Sequence, residues 1–183
     1  MRFRNAVLAA ALAAAGCAPV APPPPEAAGI YPGHPGKDVI WVPSPASLVE
    51  KMLDMAGVGA GDFVIDLGSG DGRVVIAAAK RGARALGVEY TPELVALSKR
   101  NAADAGVAER ASFVQGDMFE ADLSGATALA LFLLPANLQK LVPKFATLPA
   151  GTRIVNNGYK ITGWDEAQVG TAGDCGAWCT AYL

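Results

Sequence analysis

The chain is poor in charge, in histidine and in cysteine. Only 17% of its 183 residues are charged, with one His and three Cys. Few charges and no heptad repeat exclude a coiled coil. The net charge of −2, from 15 Lys and Arg against 17 Asp and Glu, gives nucleic acid no electrostatic reason to bind. Three cysteines are too few for a disulfide scaffold, and a single His opposes a zinc site. The sequence has no internal repeat, and no apolar run reaches the roughly 20 residues of a bilayer-spanning helix. Apolar residues, by contrast, make up 52% of the chain. That excludes a disordered protein and allows one domain with a tail.

The start of the chain reads as an address rather than as fold. Arg2 and Arg4 precede an unbroken apolar run from Ala6 to Ala15, which stops at Ala14-Ala15-Gly16-Cys17. Basic start, apolar run and small-residue stop follow the order of an export signal, and the stop resembles that of a bacterial lipoprotein. This predicts a signal peptide over 1–16 and a lipid anchor on Cys17, held by about 0.8 kcal/mol per buried CH₂. It also predicts a location on the periplasmic side of a membrane, or in the cytoplasm if the leader is not processed. Pro19 and Pro22 to Pro25 favour polyproline II and a semi-rigid tether over 17–38, leaving 39–183 for the folded domain. His34, in Tyr31-Pro32-Gly33-His34-Pro35-Gly36, reads as a loop residue and not as a catalyst.

Within 39–183, apolar runs alternate with helical patterns. Ser44-Pro45 predicts a capped helix start, with Leu48, Val49, Met52, Leu53 and Met55 on one face and Gly57 after it. Strands are expected at 63–67, 85–89, 111–114, 128–134 and 153–155, with a last one over 177–183. Helices are expected at 73–81, from Thr91-Pro92 to about 105, and over 137–148, where Pro143 should kink or shorten the helix. The alternation predicts an α/β, Rossmann-like, doubly wound and mainly parallel sheet. Its C-terminal strand region is expected to be short. Ligands of such sheets sit beyond the carboxyl ends of the strands.

Those ends carry the chemistry. The first reads Asp66-Leu67-Gly68-Ser69-Gly70-Asp71-Gly72. Glycines let a backbone approach a ligand and adopt positive φ. The spacing is G-x-G-x-G and not the G-x-G-x-x-G of dinucleotide binders, and Asp66 would repel a pyrophosphate. A carboxylate there suits an amine, hence a ligand with an amino-acid end. Glu89 closes the second strand, where a carboxylate can accept from both hydroxyls of a ribose. After the third strand, Asp117 can accept from an exocyclic amine, and Met118 and Phe119 offer apolar cover for a purine. For each residue the plainer reading is a turn or a helix cap, as for Asp71. Amine, ribose and adenine in order along the strands make a shared ligand the better reading.

These motifs resemble the class I S-adenosylmethionine-dependent methyltransferases over about residues 39–160. The resemblance implies S-adenosyl-L-methionine as cofactor. Asp66, Gly68, Ser69, Gly70, Asp71 and Gly72 fall in the motif around its methionine part, Glu89 at the ribose, and Asp117 and Met118 near the adenine. Trp41-Val42-Pro43-Ser44-Pro45 and Leu133-Leu134-Pro135-Ala136-Asn137-Leu138 are similar to a narrower group, the small protein-lysine methyltransferases that include the ATP synthase c-subunit lysine methyltransferase. That similarity implies closure of Val42, Pro43 and Ser44 over the cofactor, a place for Leu134 in the site, and a protein lysine as acceptor. The Asn/Asp-Pro-Pro-Tyr motif of nucleic-acid amino methyltransferases does not occur at the fourth strand end.

No catalytic base can be named from the sequence. Tyr159 reads as a packed aromatic. A small-molecule acceptor, or an exported module that binds the nucleotide without turnover, stands beside the lysine reading, and a dehydrogenase is the weaker enzyme alternative. Cys175 and Cys179 can close a small disulfide loop if Cys179 does not lie mid-strand.

Overall fold

The computed structural model describes residues 40–173, 175 and 179–183. The signal segment, the tether, Cys17 and His34 lie outside them. Five strands run parallel: β1 (Phe63–Leu67), β2 (Arg84–Glu89), β3 (Ala111–Gln115), β4 (Ala128–Leu131) and β5 (Arg153–Asn157). Two short antiparallel strands, β6 (Val169–Thr171) and β7 (Thr180–Tyr182), complete a seven-stranded sheet of order β3-β2-β1-β4-β5-β7-β6. The helices are α1 (Ala46–Met55), α2 (Arg73–Lys80), α3 (Pro92–Asp104) and α4 (Pro135–Phe145).

The strand sequences explain the layering. Side chains alternate across a strand, so Val64 and Ile65 of β1 face opposite ways. Val64, with Ala128, Ala130 and Val155, packs against α1, α2 and α3. Ile65 and Leu67, with Leu129 and Leu131, pack against Leu138, Leu141 and Phe145 of α4. Strands buried on both faces read as near-continuous apolar runs, the pattern of ALAL and, apart from Asp66, of FVIDL. Residues 116–127 and 158–168 form no helix, so the α4 face carries less helix than the other.

The structure departs from the sequence reading in several places. Ser44 is not a helix cap: α1 begins after Pro45 without a side-chain cap, and the Ser44 hydroxyl instead accepts from Asn157 Nδ2 at 3.1 Å. Thr91 provides no side-chain cap to α3 either. β4 stops at Leu131 and not at 134, because the Leu133 N–H leaves the ladder to donate to Asn156 Oδ1 at 3.0 Å. α4 starts at Pro135, which suits a first turn whose N–H is unused, and continues through Pro143 to Phe145. β6, only three residues long and with exposed Val169 and Thr171, was not anticipated. Cys179 precedes β7 instead of lying within it. It pairs with Cys175 in a disulfide with the Cα atoms 5.4 Å apart.

Candidate active site

A cavity of about 410 Å³ opens beyond the carboxyl ends of β1, β2 and β4. Asp66, next to last in β1, is 4% exposed. Burial first, then the neighbouring Glu89 and Asp71 charges, holds its carboxyl well above its ordinary value of 3.8. No described residue donates a hydrogen bond to it. A buried carboxylate without a donor is costly, and a cationic ligand would relieve it.

The turn after β1 is pinned to β2. Gly68 and Ser69 N–H both donate to the Val88 carbonyl, at 2.8 and 3.1 Å. Gly70 N–H donates to Glu89 Oε2 at 3.0 Å, and Thr91 N–H to Glu89 Oε1 at 2.8 Å. Glu89 therefore organises two loops besides facing the cavity. Gly68, Gly70 and Gly72 have φ of +76°, +55° and +83°, conformations that disfavour any side chain. Gly70 and Gly72 do not line the cavity. At Gly70 a Cβ would meet the Trp41 indole, with Cδ1 2.8 Å away, and at Gly72 it would meet Phe113 and Ser98.

The segment before α1 closes one side. Trp41 packs on Leu94 and Leu97 of α3. Val42, Pro43 and Ser44 line the cavity. Arg73, the first residue of α2, donates through Nη1 to the Ser44 carbonyl at 2.7 Å, and through Nε and Nη2 to Asp71 at 2.9 and 2.6 Å.

Part of the wall is apolar. Phe132, Leu133, Leu134, Met118 and Tyr159 form it. Asn156 fixes that wall: Oδ1 accepts from Leu133 N–H, and Nδ2 donates to the Tyr159 carbonyl at 2.9 Å. Asn137, in the first turn of α4, lines the same cavity and is buried, and its Nδ2 has no partner among the described residues. Asp117 Oδ1 accepts from Phe119 N–H at 3.0 Å, which fixes the loop after β3.

The fold thus brings Val42, Pro43, Ser44, Asp66, Gly68, Ser69, Asp71, Glu89, Asp117, Met118 and Leu134 onto one cavity, and leaves Gly70 and Gly72 behind its wall. Arg73 and Asn137 were not singled out as site residues by the sequence. For Arg73 a signal existed: a cation in a helix's first turn opposes the dipole and asks for a reason. Among the described residues no group of three or more His, Cys, Asp or Glu is placed to hold a metal.

Strand order, glycine turn and acidic strand ends together define an S-adenosylmethionine-dependent methyltransferase of class I. The ANTKMT methyltransferase domain model matches residues 66–168, and the chain belongs to that family. It is 40% identical over 148 residues to a protein-lysine N-methyltransferase of Saccharolobus islandicus, covering 79% of this chain and 92% of that one. It is 35% identical to the mouse adenine nucleotide translocase lysine N-methyltransferase, covering 76% of this chain but only 62% of the relative. Among solved structures, an RNA methyltransferase from Salinibacter ruber, in complex with S-adenosyl-L-homocysteine, is 43% identical. It has a TM-score of 0.71 and covers 77% of this chain and 91% of that one.

Proposed function

We propose that this chain transfers the methyl group of S-adenosylmethionine to the side-chain amine of lysine in a protein. The observation that carries the reading is the lining of the cavity, which combines the carboxylates of Asp66 and Glu89 with an uncharged wall at Leu133, Leu134 and Tyr159. The similarity to an archaeal protein-lysine N-methyltransferase of matching length supports it.

The cofactor, when bound, supplies an electrophilic methyl on a sulfonium. Asp66 fits its ammonium, because that buried carboxylate has no described donor. Glu89 and Asp117 fit hydroxyl and amine donors, and Met118 fits the face of a purine. The protein's further task is to present a neutral amine in line. A lysine amine has an ordinary pKa of about 10.4. Apolar surroundings disfavour its charged form, so the wall at Leu133, Leu134 and Tyr159 favours loss of the proton to solvent on entry. The Asn137 side chain, which lines the cavity, is a polar group that can orient the N–H bonds of the amine. With four acids and a single arginine facing the cavity, a cationic protein side chain suits the site better than a polyanion.

The test is transfer of a labelled methyl from S-adenosylmethionine into fractionated extract. Label recovered as methyllysine after acid hydrolysis supports the reading; label only in RNA or in small molecules overturns it. Export to the periplasmic side, with a lipid on Cys17, belongs to the same proposal and rests on the order of basic start, apolar run and Ala-Gly-Cys stop. Incorporation of a labelled fatty acid, abolished in Cys17→Ser, is the expected result.

A further inference from the structure

Acids are favoured in the first turn of a helix and cations are not, because the N-terminus is the positive end of the dipole. α2 begins with Arg73 all the same and has no acid in that turn. Arg73 is also the one cationic side chain that lines the cavity among the described residues.

A guanidinium carries five N–H donors in a planar fork. Here Nε and one Nη2 hydrogen are directed to Asp71, and one Nη1 hydrogen to the Ser44 carbonyl. That leaves one donor on each Nη with no partner among the described residues, on a side chain still 36% exposed. Paired Nη donors match the two oxygens of a carboxylate. Asp71 lies close enough to Asp66 for its charge to act on it. Asp66, Asp71 and Arg73 line the same cavity, so a carboxylate and a cation both face one ligand.

We propose that Arg73 binds the carboxylate of the cofactor's amino-acid end, while Asp66 binds the ammonium. This rests on S-adenosylmethionine being the cofactor. Asp71 holds the guanidinium in place as a positioning residue, and the bond to Ser44 makes the same arginine fasten the segment that closes the cavity. A lysine would keep the charge but lose the fork.

Calorimetric titration of the full chain with S-adenosylmethionine and with decarboxylated S-adenosylmethionine tests this without turnover. The wild type is expected to bind the intact cofactor about tenfold more tightly than the analogue, the size of one charge-assisted contact. In Arg73→Gln the preference should fall to within about twofold, because the intact cofactor loses more affinity than the analogue, which loses only the bond from Arg73 to Ser44, and Arg73→Lys should fall between. Retained binding of the analogue reports a folded site. If Arg73→Gln does not fold, Arg73→Lys alone decides: an undiminished preference overturns the proposal. Equal weakening of both ligands also overturns it, because Arg73 would then act only as a strap. A wild type that binds neither ligand overturns the cofactor reading itself.

Discussion

Gly70 N–H donates to Glu89 Oε2 at 3.0 Å, so the turn after β1 and the last side chain of β2 hold each other in place. The other oxygen of the same carboxylate holds Thr91 N–H at 2.8 Å. A residue expected to serve only a ribose is thus also a brace between two loops. Glu89→Gln puts an N–H₂ where one of those N–H groups needs an acceptor. A loss of about 1–3 kcal/mol is expected for an unsatisfied buried donor, together with weaker cofactor binding. Chemical denaturation and calorimetry measure the two losses separately.

Gly70→Ala should disturb the closing segment without any polar contact being lost. The new methyl collides with Trp41, and φ of +55° adds strain. A cost of about 1–2 kcal/mol from the backbone alone is expected. Adding Trp41→Ala should relieve the collision but not the strain. The double variant is therefore expected to lose less stability than the sum of the singles, which a double-mutant cycle reads directly.

Asp66 sets a conflict between stability and binding. Its carboxyl is held well above 3.8 by burial and by Glu89 and Asp71, so the folded state holds a proton that the unfolded state releases more easily. Its contribution to stability is fully present below the unfolded value of about 3.8 and is lost as pH rises through the higher folded value. At neutral pH Asp66→Asn is expected to raise the melting temperature of the ligand-free protein and to weaken cofactor binding at least tenfold, by about 1.4 kcal/mol. A melting temperature that falls in Asp66→Asn would contradict the assignment of a strained carboxylate.

Ser44→Ala separates a tertiary role from a cap. Asn157 Nδ2, buried, donates to the Ser44 hydroxyl, and its Oδ1 has no partner. Losing the hydroxyl strands a second buried atom, at about 1–3 kcal/mol. Ser44→Thr should restore stability. Asn157→Leu placed on Ser44→Ala should recover part of the loss, an outcome that a helix cap at residue 44 would not give.

Much of this was legible in the sequence because it depends on local pattern. Phe63 to Ile65 and Ala128 to Leu131 are apolar at consecutive positions, and only strands buried on both faces need that. The glycines at 68, 70 and 72 stand where φ is positive, a demand of the backbone at each site. The acids at 66, 89 and 117 stand at or just beyond strand ends, so a parallel sheet implies their convergence. Ser44 was misread because a cap and a tertiary acceptor use the same hydroxyl, and only Asn157, 113 residues away, distinguishes them. β6 was not found because three residues carry too little periodicity to register. The end of β4 was overrun because apolar character continues to Leu134, while the Asn156 side chain decides where the ladder stops.

By itself, then, the sequence determined the sheet class, the glycine turn and the family of chemistry, since each rests on residue type and spacing along a few consecutive positions. The tertiary structure decided which of those residues face the cavity. Gly70 and Gly72 were moved behind its wall, because their missing side chains make room for Trp41 and Phe113. Arg73 and Asn137 were added to it, because hydrogen bonds and packing between distant segments, which no local pattern encodes, direct those side chains there.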